Sequence, residues 1–411
     1  MFLDEIVAAQ KRGEARGIPS ICSAHPSVLK ETLKVSKNFG VPALIEATCN
    51  QVNQFGGYTG MRPGDFVTYV RRITEENDYP FEDVILGGDH LGPSAWRNEP
   101  AESAMQKSET LVRDYVGAGF TKIHLDCSMH LADDSPGTLD VEVSARRTAR
   151  LAKSAEEASR LSPRYVIGTE VPIPGGAIWH EENVSVTKVE DAQRTIEVTR
   201  NAFLDAGLKS AWDRVVAVVV QPGVEFGDDF VLPYQPEAAR ELARFIESQP
   251  MVFEAHSTDY QSPGALSEMV RDHYAILKVG PALTFAFREA VFALALIEEE
   301  LMPREARSNI VQVLDEAMMK HPAYWKDHYR GTQQEQAFKR KFSMSDRARY
   351  YWTQPEVQEA LARLMSNLGD APLPYSSSSQ ITGREKLSAA QLIEQKTRSV
   401  LDGYFGACVP R

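Results

Sequence analysis

The sequence predicts an α/β protein: a closed (β/α)8 TIM barrel with a C-terminal, mainly helical extension. Three observations carry this expectation. Eight short apolar segments recur between residues 19 and 280. Several are continuous apolar runs rather than alternating ones, the pattern of strands buried on both faces of a parallel sheet. The stretches between them have helical composition and crossover length. A doubly wound open sheet shares the βα alternation, and the count of eight favours closure.

The elements follow in order. The N-terminal MFLDEIVAAQKRGEARG reads as a short amphipathic helix without the organisation of a signal peptide. Strands are expected at PSICSA (19–24), PALIEAT (42–48), DVILGGD (83–89), TKIHLD (121–126), YVIGTEV (165–171), VVAVVVQ (215–221), MVFEAH (251–256) and YAILKVG (274–280). VVAVVV is the richest in β-branched residues. Helices are expected at 27–39, 102–119, 141–161 and 188–207, with Gly119 and Gly207 placed as C-terminal caps and Pro63 opening another after Arg62. A further helix, TFAFREAVFALALIEEEL (284–301), is apolar enough to pack on more than one side. The division expected is a barrel over residues 1–301 and a helical extension over 302–411. The extension carries HPAYWKDHY (321–329) and RARYYW (347–352), whose Tyr and Trp are candidate interface residues. A polar stretch, LPYSSSSQITGREKL (373–387), precedes its last part.

Composition narrows the function. The 411 residues are 43% hydrophobic and 25% charged, enough for a sizeable core. The net charge of −12 argues against a general nucleic-acid surface, so an anionic sugar phosphate would need local donors. Cysteines 22, 49, 127 and 408 have no metal-binding spacing and read as reduced thiols, mostly buried. No apolar run is long enough to span a membrane, and the expected location is the cytoplasm.

In a (β/α)8 barrel, catalytic groups gather at the C-terminal strand ends. Asp89 and His90 end strand three; His124 and Asp126 lie in and after strand four; Glu170 is near the end of strand five; Gln221 ends strand six; Glu254 and His256 end strand seven; Lys278 lies in strand eight. His90, Glu170 and His256 are suitable ligands for a divalent metal, with zinc the first candidate and cobalt or manganese open. The competing reading buries both histidines against neighbouring carboxylates. Asp89 and His90 would face opposite ways in a regular strand, and a turn after Gly88 would relax that rule. Asp89 is then a proton-transfer candidate, with Asp126 and Glu170 as further catalytic carboxylates. His124 and Asp126 share a face and could hold a substrate hydroxyl or orient an imidazole, the competing reading being a simple polar network of the core.

Phosphate-holding candidates are the Gly175-Gly176 turn with nearby His180, and Gly280 at the start of the helix after Pro281. Arg62, Asp259 and Lys278 complete the substrate-binding set. Lys278 among carboxylates would stay protonated, which favours a charged ligand or salt-bridge role over a Schiff base. Neither GxxxxGK[ST] nor GxGxxG occurs, and on that ground kinase activity is not expected.

Several long stretches carry a resemblance. HPSVLKETLKVSKNFGVPALIEATCNQVNQFGGYTGMRPGDF, VILGGDHLGPSAW, TKIHLDCSM, IGTEVPIPGGA, VVVQPGVEF, EAHSTDYQ and ILKVGPALTFAFREA occur in order, and the chain resembles the GatZ/KbaZ family over nearly its whole length. These are the large companion subunits of class II tagatose-bisphosphate aldolases, themselves distantly similar to the catalytic class II aldolases. The resemblance implies a barrel with the family's helical extension. It matches Asp89 and His90 to the aldolase proton-transfer acid and metal histidine, Glu170 to an accessory carboxylate and His256 to the seventh-strand histidine. Gln221 stands where a sixth-strand histidine is expected, and Gly280 where an asparagine is usual beside Lys278. The implied partner is the aldolase's catalytic subunit, a homo-oligomer being possible, and the implied ligand is a sugar phosphate. The function implied is that of a companion subunit needed for full activity or stability of the aldolase. The alternative is a metal-dependent ketose-phosphate 4-epimerase acting on tagatose 6-phosphate and fructose 6-phosphate.

Overall fold

The computed structural model describes residues 1–135, 139–168, 184–382 and 386–409. All eight expected strands are present, at Ile18–Ile21, Ala43–Thr48, Val84–Leu91, Lys122–Leu125, Arg164–Ile167, Val215–Val219, Val252–Ala255 and Tyr274–Val279. They pair in parallel, and the sheet closes where Ile18 sits opposite Ile276 and Ser20 lies opposite both Lys278 and Leu44. Almost every strand residue is buried. Helices cover the outer face while side chains fill the lumen, hence the continuous apolar runs. A short antiparallel ribbon, Glu225–Phe226 with Val231–Leu232, follows the sixth strand.

The N-terminal helix Phe2–Lys11 plugs the bottom of the barrel. Leu3 and Ile6 join Ile18, Leu44, Ile85, Val216 and Val252 in one buried cluster, and Asp4 pairs with Arg164. Gly119 takes a left-handed conformation (φ +105°) at the end of helix Ala101–Ala118, and Pro63 opens helix Pro63–Glu76 with Arg62 as its cap, both as expected.

The apolar helix Pro281–Leu301 packs on more than one side. It touches helices Pro26–Phe39, Ile310–Lys320, Pro355–Leu368 and Ala389–Cys408. Its buried face joins a second core containing Trp325, Tyr329, Tyr351 and Trp352. Those four aromatics, expected as interface residues, therefore pack internally. The reason is geometric: a two-sided apolar helix leaving the barrel must be covered, and they cover it. The final described helix, Ala389–Cys408, returns to the barrel against helices Pro26–Phe39 and Pro263–Arg271 and the first strand. Cys49, Cys127 and Cys408 are buried free thiols, whereas Cys22 is partly exposed. Among the described residues no helix is long and apolar enough to cross a membrane.

Candidate functional site

The third strand ends in GGDHLG because three backbone demands meet there. A Cβ on Gly87 would lie 2.5 Å from Cγ and 2.9 Å from Cδ of Glu46, its register partner on the second strand. Bare backbone at that position gives the Glu46 carboxylate its place in the lumen. His90 adopts φ +48°, and pairing with the fourth strand slips between Gly88 and Leu91. This bulge breaks the alternation that would send Asp89 and His90 to opposite faces, so both turn inward. Left-handed backbone at a non-glycine residue costs on the order of 1–3 kcal/mol and concentrates at functional sites. Ser257, directly after His256, carries the same signature (φ +53°). A Cβ on Gly92 would overlap the Asp126 carbonyl, so loops three and four touch.

Two polar layers fill the barrel lumen. The inner layer is ionic: Lys122 Nζ lies 2.6 Å from both Glu46 and Glu254, and Lys278 Nζ lies 2.9 Å from Glu46 and also pairs with Asp89. Burial alone would push the two ammonium groups down. For Lys122, Glu254 and Glu46 hold the group above the ordinary lysine value; for Lys278, Asp89 and further anionic neighbours hold it well above. Lys278 is thus kept protonated, the salt-bridge role expected rather than an amine nucleophile. Burial would raise Glu254, but Lys122 and Lys278 hold it well below the usual carboxylate range.

The layer at the mouth comprises Asp89, His90, His124 and His256. The three ring centroids stand 4.9–5.2 Å apart. One donor atom from each of the four residues falls within 4.8 Å of all the others. His90 Nδ1 donates to Asp126 at 2.9 Å, and His256 Nε2 donates to Glu254 at 2.9 Å. These carboxylates fix the rings, as outer partners of metal-binding histidines do. His124 Nδ1 lies 2.9 Å from Asp89, and its Nε2 is buried without a partner. Three imidazoles and a carboxylate, with one buried nitrogen unsatisfied, fit a divalent cation.

The electrostatics separate the members of this layer. Burial would raise Asp89, yet the charges of His90 and Lys278 and the bond from His124 hold it well below the usual range. Burial would likewise raise Asp126, and His90 pulls it down. Burial lowers His90, but Asp89 and Asp126 lift it above the ordinary histidine value. Burial and then Lys278 push His256 down to about 3, so it is a neutral imidazole at neutral pH.

A cavity opens above this layer, lined among others by Asp89, His90, His256, Asp259, Lys278 and Gly280. The structure thus brings together His90, His256, Asp89, Lys278, Asp259 and Gly280, with His124 and Asp126 directly beneath or beside them. It does not gather Arg62, which is exposed at its helix cap and lines neither this cavity nor its neighbour. Gln221 folds back to accept from Gly223 and Val224 at 2.8 and 3.1 Å, shaping its own loop. The helix start at Gly280 already holds an anion: one Asp259 oxygen accepts from Gly280 at 3.0 Å and Ala282 at 2.8 Å. Burial nevertheless raises Asp259 to about 6. Glu170, Gly176 and His180 lie outside the described residues.

Sequence reasoning missed Glu46 and Lys122, which complete the inner layer, and Arg349 and Tyr350, which the extension brings to the cavity. It also placed His124 with the substrate rather than among the clustered imidazoles. The available signal was a charged residue inside an otherwise apolar strand, as in ALIEAT and TKIHLD.

The family model described as D-tagatose-1,6-bisphosphate aldolase subunit GatZ/KbaZ-like matches residues 3–409. The D-tagatose-1,6-bisphosphate aldolase subunits GatZ of Salmonella heidelberg (strain SL476) and Salmonella agona (strain SL483) are each 50% identical, covering 99% of this chain and 99% of their own. A crystal structure from Sinorhizobium meliloti 1021, described as a probable tagatose 6 phosphate kinase, superposes with a TM-score of 0.88 at 45% identity, over 96% of this chain and 100% of that one. This neighbour overturns the expectation that kinase activity is absent. Phosphoryl transfer asks for positioning and charge stabilisation, which differently built loops supply, so a missing P-loop does not decide the matter.

Proposed function

This chain belongs to the GatZ/KbaZ-like family of D-tagatose-1,6-bisphosphate aldolase subunits, and from that premise we propose that it is the companion subunit of a class II tagatose-1,6-bisphosphate aldolase. It works in cytoplasmic carbohydrate catabolism and is required for the full activity or stability of the catalytic subunit. The observation that carries this reading is 50% identity to GatZ subunits over 99% of both chains. The ligand of the barrel mouth is a phosphorylated tagatose, the sugar common to the descriptions of the relatives. The partner covers an apolar patch on the extension, where Leu296, Phe338 and Phe342 are 67%, 62% and 53% exposed and the two phenylalanine rings stand 5.0 Å apart. The test is co-purification with the class II aldolase, followed by aldolase activity with and without this chain. Association and activation are expected, both weakened by F338E/F342E. No association and no activation at micromolar concentration refutes the reading.

A second reading is favoured by the clustering of Asp89, His90, His124 and His256 at the mouth. In it the chain is a metal-dependent ketose-phosphate 4-epimerase. His90, His124 and His256 hold the ion, with Glu170 retained from the sequence as a further ligand. A bound divalent ion, zinc in this proposal, supplies electrophilic polarisation of a ketose carbonyl. Asp89, kept ionised beside the cavity, is the proton acceptor. Asp126 and Glu254 hold the imidazoles in orientation. The purified chain alone then interconverts tagatose 6-phosphate and fructose 6-phosphate, D89N abolishes turnover, and chelation stops it. Full activity after complete metal removal excludes this reading.

A further inference from the structure

The barrel-mouth cavity adjoins a second one, which lies between the loop after the first strand and the extension. The two share Cys22, Gln51, Tyr58, Gly280 and Arg349. Arg349 therefore stands at their junction, carried there by the extension segment Arg347–Tyr350.

Asp346 and Asp259 attract Arg349 from a distance, without a direct ion pair. Nη1 donates to the Asp346 carbonyl at 3.0 Å and Nη2 to the Tyr350 hydroxyl at 2.8 Å, and the guanidinium lies 4.4 Å from the Tyr350 ring centroid. Asp346, the nearest carboxylate in sequence, gives its side chain to Arg288 at 3.0 Å and to Thr284 at 2.5 Å. Among the described residues Arg349 forms no ion pair with a carboxylate. Arg347, on the other side of Tyr350, repeats the situation. It is buried, its Nη2 meets His328 Nδ1 at 2.8 Å, and its Nε has no partner. Arg347 is buried and Arg349 half-buried, and among the described residues neither pairs directly with a carboxylate, so an anionic ligand is favoured beside them. The planar fork of arginine matches phosphate oxygens, and Arg349 offers it into both cavities.

We propose that Arg349 is the phosphate-recognising residue of this site: it receives the phosphate of a phosphorylated ketose at the junction of the two cavities, with the carbonyl end of the sugar facing His90 and His256. The extension thus contributes a specificity residue to the barrel. This rests on the reading of the barrel mouth as a sugar-phosphate site.

The test is calorimetric titration of the full chain with tagatose 6-phosphate and with tagatose, for the wild type, R349Q and R349K. The wild type is expected to favour the phosphate ester by about tenfold or more. R349Q brings the ratio close to one while leaving the affinity for tagatose unchanged, and R349K falls between. An unchanged ratio, or a parallel loss of both affinities, overturns the proposal. A measurement independent of any variant is phenylglyoxal modification of the wild type read by peptide mass spectrometry. Tagatose 6-phosphate should shield Arg349 and tagatose should not; equal shielding overturns the assignment. A wild-type chain that binds neither sugar overturns the sugar-phosphate reading itself, a result distinct from loss of the ratio alone.

Discussion

Lys122→Met removes one charge from the middle of the barrel and keeps most of its volume. Lys122 is 0% exposed, with Nζ 2.6 Å from Glu46 and from Glu254. At an effective dielectric of about 20, each contact at this distance supplies roughly 6 kcal/mol of gross attraction. The lysine's own desolvation cancels most of that sum, and breaking a buried pair costs a net loss of about 3–5 kcal/mol. Lys278 cannot substitute, because it already serves Glu46 and Asp89 and stands 3.9 Å from Glu254. With an unfolding entropy of ~2.1 cal/mol/K per residue over 411 residues, the loss lowers Tm by about 3–6 °C. Scanning calorimetry at neutral pH measures this directly. The sign of the pH dependence follows from Glu254, whose folded-state pKa is depressed below 4.5. Its contribution is present above that value and is lost as pH falls through the folded one. The variant lacks Lys122, the largest cause of that depression, and has less to lose. Its deficit therefore narrows on acidification below 4.5, and E254Q combined with Lys122→Met recovers part of the stability. A Tm change under about 1 °C at neutral pH, or a deficit that widens in acid, refutes this account of the lumen.

Two further outcomes follow from the same structure. On the metal-dependent reading proposed above, Asp126→Asn weakens the carboxylate hold on His90 and should lower zinc affinity about 10–100-fold, read by competition with a chromophoric chelator; unchanged affinity removes Asp126 from the orienting role. Burial pushes His25 down to about 4, so between 6.5 and 4 the unfolded chain binds a proton that the folded chain refuses, and stability falls as pH drops through that window. His25→Gln should remove close to one proton from the slope of urea-unfolding free energy against pH; an unaltered slope would mean that His25 is already charged in the folded state.

The barrel was legible because its strands are buried on both faces, which leaves eight apolar runs of strand length. The convergence of His90 and His256 was legible for the same reason: ring closure brings distant strand ends together. What the residues could not reveal was backbone geometry at single positions. Alternation would separate Asp89 from His90, and only the bulge with φ +48° at His90 reconciles them. The phosphate role imagined for Gly280 failed to anticipate that Asp259 occupies its N–H groups, a contact set by loop path rather than composition. Arg62 reads as cationic and available, but its position as a helix cap turns it outward. Arg349 was hidden by distance along the chain, since nothing in RARYYW says which cavity the segment will reach.

The helix Ala389–Cys408 has a consequence for how the polypeptide is made. Gly17 donates its N–H to the carbonyl of Cys408 at 2.8 Å, and Tyr404 donates its hydroxyl to Thr258 at 2.6 Å. The seam between the earliest and latest strands is therefore sealed by residues translated long after both. A nascent chain emerging from the ribosome can assemble strands in sequence, and its opening strand pairs with the second and eighth, but Gly17 at its start meets its acceptor only once residue 408 is clear of the exit tunnel. Any truncation upstream of that point leaves the seam uncovered, however complete the strands themselves.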